Sequence, residues 1–322
     1  MALTERYDAA LFDLDGVLYL EEQGVPHAPE AVAAARTAGM RVAFVTNNAS
    51  RRPATVADRL AGLGIPASPD DVVTSAQAAV RTLVSRVPAG AAVLVLGTDA
   101  LADEVRERGL RPVRSLAEAG EDGVAAVVQG LSPDTCQRDL AEASVALRAG
   151  AVWVAGNTDL TLPSPRGPLP GNGAFVTALR LVTGLEPLVS GKPDPALHRE
   201  SVERVGATSP LVVGDRLDTD VLGAVRGGAD SLLVLTGVTD RHLLLRAPRG
   251  SRPTYVATDL RGLVETHPQV EVDGAVARCR DARAMLQEGV VVVEGSGDDA
   301  LRAEAALWWA CADGGRPLDP AG

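Results

Sequence analysis

The feature that most constrains the fold of this chain is a recurring unit: a short apolar run that ends in polar residues and glycine, followed by an amphipathic helical stretch. Ala9-Ala10-Leu11-Phe12 runs into Asp13-Leu14-Asp15-Gly16. Pro29 to Ala38 reads as a helix, with Pro29 near its first turn and Gly39 just past its end, and Val42 to Val45 follows as a strand. Pro53 to Leu60 is the next helix, leading to the Gly/Pro-rich turn Gly62 to Pro69. Strands alternating with helices at this spacing predict a parallel sheet with helices on both faces. Ligands in such folds gather at the carboxyl ends of the strands.

The same rhythm recurs between about residues 79 and 169. Ala92 to Leu96, Val124 to Val128 and Val152 to Ala155 read as strands, and Ala100 to Arg108 and Pro133 to Arg148 as helices. Ser132 is the expected N-cap of the second helix and Gly150 its C-terminal stop. The Pro/Gly-rich loop Leu162 to Gly173, which contains Pro163 to Pro170, closes this stretch. After it come a helix, Ala174 to Thr183, and the strands Leu211 to Val213 and Ser231 to Leu235. Residues 79–169 therefore read as an α/β domain inserted into a core formed by 1–78 and 170–266. From His267-Pro268 the character changes. Val270 to Val272 and Ala275 to Cys279 flank an Asp273-Gly274 turn signal, followed by a strand Val290 to Val293 and a helix Ala300 to Ala312. Residues 267–322 are expected to form a small α+β appendage, with Trp308 and Trp309 packing its helix on its sheet, though an adjacent pair also suits a partner surface.

With 322 residues and 46% apolar content, the chain can bury a large core and exceeds the usual size of one domain. Formal charge is -11 and the basic residues are scattered, with no run longer than Arg51-Arg52, which argues against nucleic acid or an anionic membrane as partner. No basic segment precedes an apolar one at the start, and no apolar run approaches the roughly 18 residues that span a bilayer. A cytoplasmic protein is expected. Cys136, Cys279 and Cys311 are odd in number and far apart, and are read as buried small residues. His27, His198, His242 and His267 show no paired spacing.

Four features carry chemistry. The Asp13-x-Asp15-Gly16 pair at a strand end can hold a divalent cation, and one carboxylate can also attack phosphorus, though the same pattern makes ordinary turns. Thr46-Asn47-Asn48 follows the next strand; a hydroxyl and backbone N–H groups there suit phosphoryl oxygens, or equally a helix-capping loop. Gly191-Lys192-Pro193 holds the only lysine among the 31 basic residues. In so Arg-rich a chain, one Lys points to a site that needs a compact point charge rather than a planar fork. Finally, the apolar Val212-Val213 runs into Gly214-Asp215-Arg216-Leu217-Asp218-Thr219-Asp220, an acidic cluster that needs a cation or hydrogen-bond donors to hold it together.

The ordered set DLDG (13–16), TNN (46–48), GKP (191–193) and GDRLDTD (214–220) resembles the haloacid dehalogenase superfamily. The room between TNN and GKP for an inserted domain is similar to its NagD and para-nitrophenylphosphatase-like branch, with a C2-type cap. The resemblance covers roughly residues 7 to 266. It implies a Rossmann-like core and a magnesium-dependent phosphatase for small soluble phosphomonoesters, working through an aspartyl-phosphate intermediate. By the same resemblance Asp13 is the nucleophile and Asp15 the general acid and base. Thr46, Asn47 and Lys192 bind the phosphoryl group. Asp13, the backbone carbonyl of Asp15, and Asp215 hold Mg²⁺, with Asp220 supporting the loop; Arg216 and Asp218 orient it. Because Asp15 can protonate an alkoxide, oxygen leaving groups are expected rather than halide.

In relatives with this cap an Asn-x-Asp loop approaches the site, and Asn157-Thr158-Asp159 matches it. Asn157 and Asp159 are thus candidates for substrate choice, with Arg166 a further one. VTNNAS (45–50), DVVTSAQ (71–77) and LPGNGAF (169–175) resemble the actinobacterial glycerol-3-phosphate phosphatase branch, which implies that ester as substrate; phosphoglycolate and sugar phosphates stay open. A phosphotransferase or a phospho-accepting signalling module keeps the same fold, and a homodimer is compatible with it.

Overall fold

The computed structural model describes residues 1–162 and 166–316 of the chain; residues 163–165 of the Pro163 to Pro170 loop and the last six residues of the expected appendage lie outside them. The chain divides into two compact units, Met1–Phe44 with Leu63–Ile65 and Val202–Gly322, and Val45–Gly62 with Pro66–Ser201.

The first unit is built on parallel strands in the order Tyr255–Ala257, Asp230–Val234, Pro210–Gly214, Ala9–Phe12 and Arg41–Thr46, the last of which carries the chain into the second unit. Phe12 is in register with Val213 on one side and Phe44 on the other. The middles of these strands are apolar and buried because both faces are covered, as parallel sheets require. From Ala9–Phe12 the chain goes first to Arg41–Thr46 on one side and later to Pro210–Gly214 on the other. The strand order therefore reverses between Ala9–Phe12 and Pro210–Gly214, where the crevice of such a sheet lies.

The second unit has its own parallel sheet, ordered Leu188–Val189, Val152–Ala155, Ala126–Gln129, Ala92–Leu96, Arg111–Val113. Alternation along Ala92–Leu96 sorts its faces. Val93 and Val95 pack with Ala76, Val80, Leu83, Leu101 and Val105 of the helices Ser75–Val84 and Asp99–Glu107. Ala92, Leu94 and Leu96 pack instead with Ala143, Leu147, Val176 and Leu179 of the helices Gln137–Arg148 and Asn172–Thr183. Elements on both sides of residues 79–169 join this packing. Ser75–Val84 covers one face, Asn172–Thr183 the other, and Leu188–Val189 is an edge strand paired with Val152–Ala155.

Ser132 does not cap the helix expected from Pro133. It accepts from Asp134 N in a preceding turn at 3.2 Å, and the helix starts at Gln137, with Asp139 Oδ2 accepting from Cys136 N at 2.8 Å. Cys136 is accordingly exposed, against expectation, while Cys279 and Cys311 are buried.

Residues 271–294 form a four-stranded antiparallel sheet, Glu271–Asp273, Val276–Cys279, Ala282–Gln287 and Val290–Glu294, followed by the helix Gly297–Asp313. Ala277, Ala284, Ala303, Leu307 and Trp308 share one apolar cluster with Val221, Leu233, Leu244 and Val256 of the first unit. Trp309 Nε1 donates to Leu244 O at 3.1 Å, and the nearly buried Glu304 carboxylate pairs with Arg241. No helix among the described residues is long and apolar enough to cross a membrane.

Candidate active site: an acidic group and a clasped lysine loop

Asp13 and Asp215 stand one residue past the adjoining strand ends Phe12 and Gly214, at the point where the strand order reverses. Asp13 N continues the ladder, donating to Val213 O at 2.8 Å. Among the described residues, carboxylate oxygens of Asp13, Asp215 and Asp220 lie within 4.8 Å of one another. Asp215 and Asp220 are buried, and Asp13 is half-buried. Two charges at such a distance repel by on the order of 3 kcal/mol at an effective dielectric near 20. Main-chain donors relieve part of this: Val238 N gives to Asp215 Oδ2 at 2.6 Å and Arg216 N to Asp220 Oδ2 at 3.1 Å. An all-oxygen set of this kind fits a small hard divalent cation such as Mg²⁺.

The backbone is shaped to allow this crowding. A Cβ on Gly16, whose φ is +86°, would overlap Asp215 Oδ2, so only glycine admits the approach. Thr236 Oγ1 donates to Gly16 O at 2.5 Å and closes the turn from the other side. The segment Leu217–Val221 is a single π-helical turn, with Val221 N donating to Arg216 O at 3.1 Å. It brings Asp220 back beneath Gly214, which is why Asp220 joins the acidic group rather than only supporting the loop. Asp218 faces away: Arg216 binds it through two hydrogen bonds, of 3.0 and 2.8 Å, which hold its carboxyl below the usual range. Asp15 lies on the turn Leu14 to Tyr19 with its side chain exposed and outside the acidic group.

The other candidates lie in the second unit, where three loops meet. Thr46 is buried and its Oγ1 accepts from Asn48 N at 3.1 Å. Lys192 is 3% exposed, with Nζ 3.4 Å from Val45 O. The side chain of Asn47 is engaged with Lys192 and Asp159. Its Oδ1 accepts from Lys192 N at 2.7 Å, and its Nδ2 donates to Lys192 O at 3.0 Å and to Asp159 Oδ2 at 3.3 Å. Asn157, a candidate for substrate choice, is buried. Its Nδ2 donates to Asn47 O at 2.7 Å, and its own Oδ1 and O accept from Asp159 N and Asn172 Nδ2. Asp159 stays half-exposed at the loop.

Ser75 and Asn172 were not singled out by sequence reasoning. Ser75 Oγ donates to Asn47 O at 2.6 Å, so the DVVTSAQ and LPGNGAF segments both brace the TNN loop or its neighbour. A cleft of about 570 Å³ in the same unit, lined by residues including Arg51, Thr98, Arg114 and Asp134, holds none of the acidic group.

Comparison with known proteins agrees with this chemistry. Residues 10–111 match the haloacid dehalogenase-like hydrolase family, and residues 189–263 match a second HAD-hydrolase-like family. The chain is 45% identical to the D-glycerol 3-phosphate phosphatase of Mycobacterium tuberculosis over 320 residues, covering 95% of this chain and 89% of that one. It is 33% identical to a 5'-nucleotidase of Bacillus subtilis, covering 73% and 90%. The crystal structure of the M. tuberculosis glycerol phosphate phosphatase in complex with magnesium superposes with a TM-score of 0.86 at 44% identity, covering 99% of this chain and 94% of that one.

Proposed function

The chain belongs to the haloacid dehalogenase-like hydrolase family, and from that premise we propose that it hydrolyses glycerol 3-phosphate to glycerol and inorganic phosphate through an aspartyl-phosphate on Asp13. It is a phosphoric monoester hydrolase that uses Mg²⁺. The observation that carries the reading is the buried acidic group at the point of strand reversal. The substrate follows from the similarity over nearly the whole chain to a D-glycerol 3-phosphate phosphatase.

Asp13, the Asp15 carbonyl and Asp215 would hold the metal, with Asp220 in the same group. Bound there, Mg²⁺ neutralises phosphoryl charge and lets an anion approach the carboxylates. A carboxylate oxygen of Asp13 forms a bond to phosphorus as the ester P–O bond breaks. The electron pair leaves on the alcohol oxygen, which takes a proton from Asp15. Asp15, now a carboxylate, accepts a proton from water as the water oxygen attacks phosphorus, and the Asp13–phosphorus bond breaks to free inorganic phosphate. Thr46 Oγ1, the Asn47 main-chain N–H and the Lys192 ammonium bind the phosphoryl oxygens. Asp159 accepts hydrogen bonds from substrate hydroxyls. The enzyme works in the cytoplasm.

The test is a phosphate-release screen over glycerol 3-phosphate, phosphoglycolate, sugar phosphates and 5'-nucleotides. Fastest release from glycerol 3-phosphate, abolished by EDTA and by Asp13→Asn, is expected. Preference for another ester would move the substrate assignment, and Mg²⁺-independent release would overturn the mechanism.

A further inference from the structure

Asn47 makes hydrogen bonds to both main-chain groups of Lys192, a paired arrangement resembling one step of a β-ladder but made by a side chain. The lysine's other end is tied to the same segment, because Nζ lies 3.4 Å from Val45 O, two residues before Asn47. Gly191 is pressed into the corner: a Cβ there would overlap Gly156 O and crowd Asn47 Oδ1. The Asn47 carbonyl, in turn, receives Asn157 Nδ2 and Ser75 Oγ. One residue thus joins the lysine loop, the Asn157 to Asp159 loop and the start of the Ser75–Val84 helix.

We infer that Asn47 is a positioning residue that sets the Lys192 ammonium for phosphoryl binding and couples that setting to the Asp159 loop. The inference rests on the reading that Lys192 binds the phosphoryl group. A lysine side chain is long and rich in rotamers, and ordering it costs entropy. Clamping the main chain on both sides of its Cα fixes where the four-carbon stem begins, so the ammonium is delivered with less left to order when phosphate arrives. The amide is needed as such. A carboxylate at residue 47 would keep the acceptor for Lys192 N but oppose one oxygen to Lys192 O and to the Asp159 carboxylate.

The experiment measures, in Mg²⁺-loaded full-length protein, the calorimetric affinity for inorganic phosphate, kcat/KM for para-nitrophenyl phosphate, and Tm. The variants are Asn47→Ala, Asn47→Asp, Lys192→Ala and Asn47→Ala/Lys192→Ala. Asn47→Ala is expected to weaken phosphate about tenfold, as lost charge-positioning hydrogen bonds do, and Asn47→Asp to weaken it more. In the Lys192→Ala background, Asn47→Ala should change phosphate affinity by less than about twofold, because the two act through one group. A residue that only staples loops would lower Tm in both backgrounds and leave phosphate affinity within about twofold of wild type; that result, or effects that multiply, would overturn the inference. Should Asn47→Ala not fold, Asn47→Asp, which keeps the volume, decides the same question by the same readouts. Unchanged turnover and phosphate affinity in Lys192→Ala would instead defeat the underlying role of the lysine.

Discussion

Gly16 and Asp215 share one space: the glycine's missing side chain is where the buried carboxylate sits, with φ at Gly16 of +86°. Alanine there should displace the carboxylate as well as strain the backbone. Gly16→Ala is expected to lose Mg²⁺-dependent phosphate release almost completely. Gly39→Ala is the control, since Gly39 has a φ of +89° and nothing near its missing Cβ. That change should lower stability by about 1 kcal/mol and leave turnover alone. Equal loss in the two variants would show that strain, and not the approach to Asp215, governs the effect.

The two acids of the 214–220 segment should separate cleanly. Asp215→Asn removes a buried member of the acidic group and is expected to lower kcat/KM by roughly three orders of magnitude and to raise the Mg²⁺ needed. Asp218→Asn breaks only an exposed pairing with Arg216 and should change the rate by less than about threefold. Mg²⁺ titrations of phosphate release on both variants check this.

His267 gives a pH signature of folding. Burial depresses its pKa, against the pull of its hydrogen bond with Gly262 O, and the ring stacks edge-on with Tyr255. A folded pKa below the unfolded value means the neutral ring's stability is fully present above the unfolded pKa, near 6.5, and is lost as pH falls toward the folded value. Tm should therefore drop between pH 7.5 and 5.5 by more in wild type than in His267→Gln. Parallel Tm curves would rule the histidine out as a contributor.

Trp308→Ala should destabilise by about 3 kcal/mol, a value for a large side chain lost from a shared core. Removal of residues 268–322 should expose Leu233, Leu244 and Val256 and give aggregated protein rather than an active core. Chemical denaturation and size-exclusion chromatography of the two proteins provide the measurement; a soluble, active truncation would contradict the shared core.

Asp13 and Asp215 were legible in the sequence because each follows an apolar strand directly, and a parallel sheet brings such strand ends together. Asp220 was placed only loosely, since the π-helical turn that returns it to Gly214 has no periodic signature. The anchoring of Asn157 and of the Asn47 side chain was not legible, for a physical reason. Their partners are main-chain groups more than a hundred positions away, and no local pattern encodes such pairings. The anchoring of LPGNGAF was hidden by its linker-like composition: Gly173 N donates to Asp159 O and Asn172 Nδ2 to Asn157 O. The strand Ala282–Gln287 was unreadable from propensity. Its Ala- and Arg-rich sequence pairs on both edges through tertiary context.

The partnership of Ala9–Phe12 with Pro210–Gly214 also sets a timetable for the living cell. Ribosomes add about 5 to 20 residues per second, so the first of these strands waits on the order of 10 to 40 s for the second to be made. The second unit, mostly contiguous in the chain, can fold in that interval. One edge of the apolar strand that leads into Asp13, the edge away from Arg41–Thr46, meanwhile stays unpaired and open to chaperones and to aggregation. Catalytic competence is thus among the last things this polypeptide acquires, and slowing synthesis should hurt its yield more than that of a relative with contiguous strands.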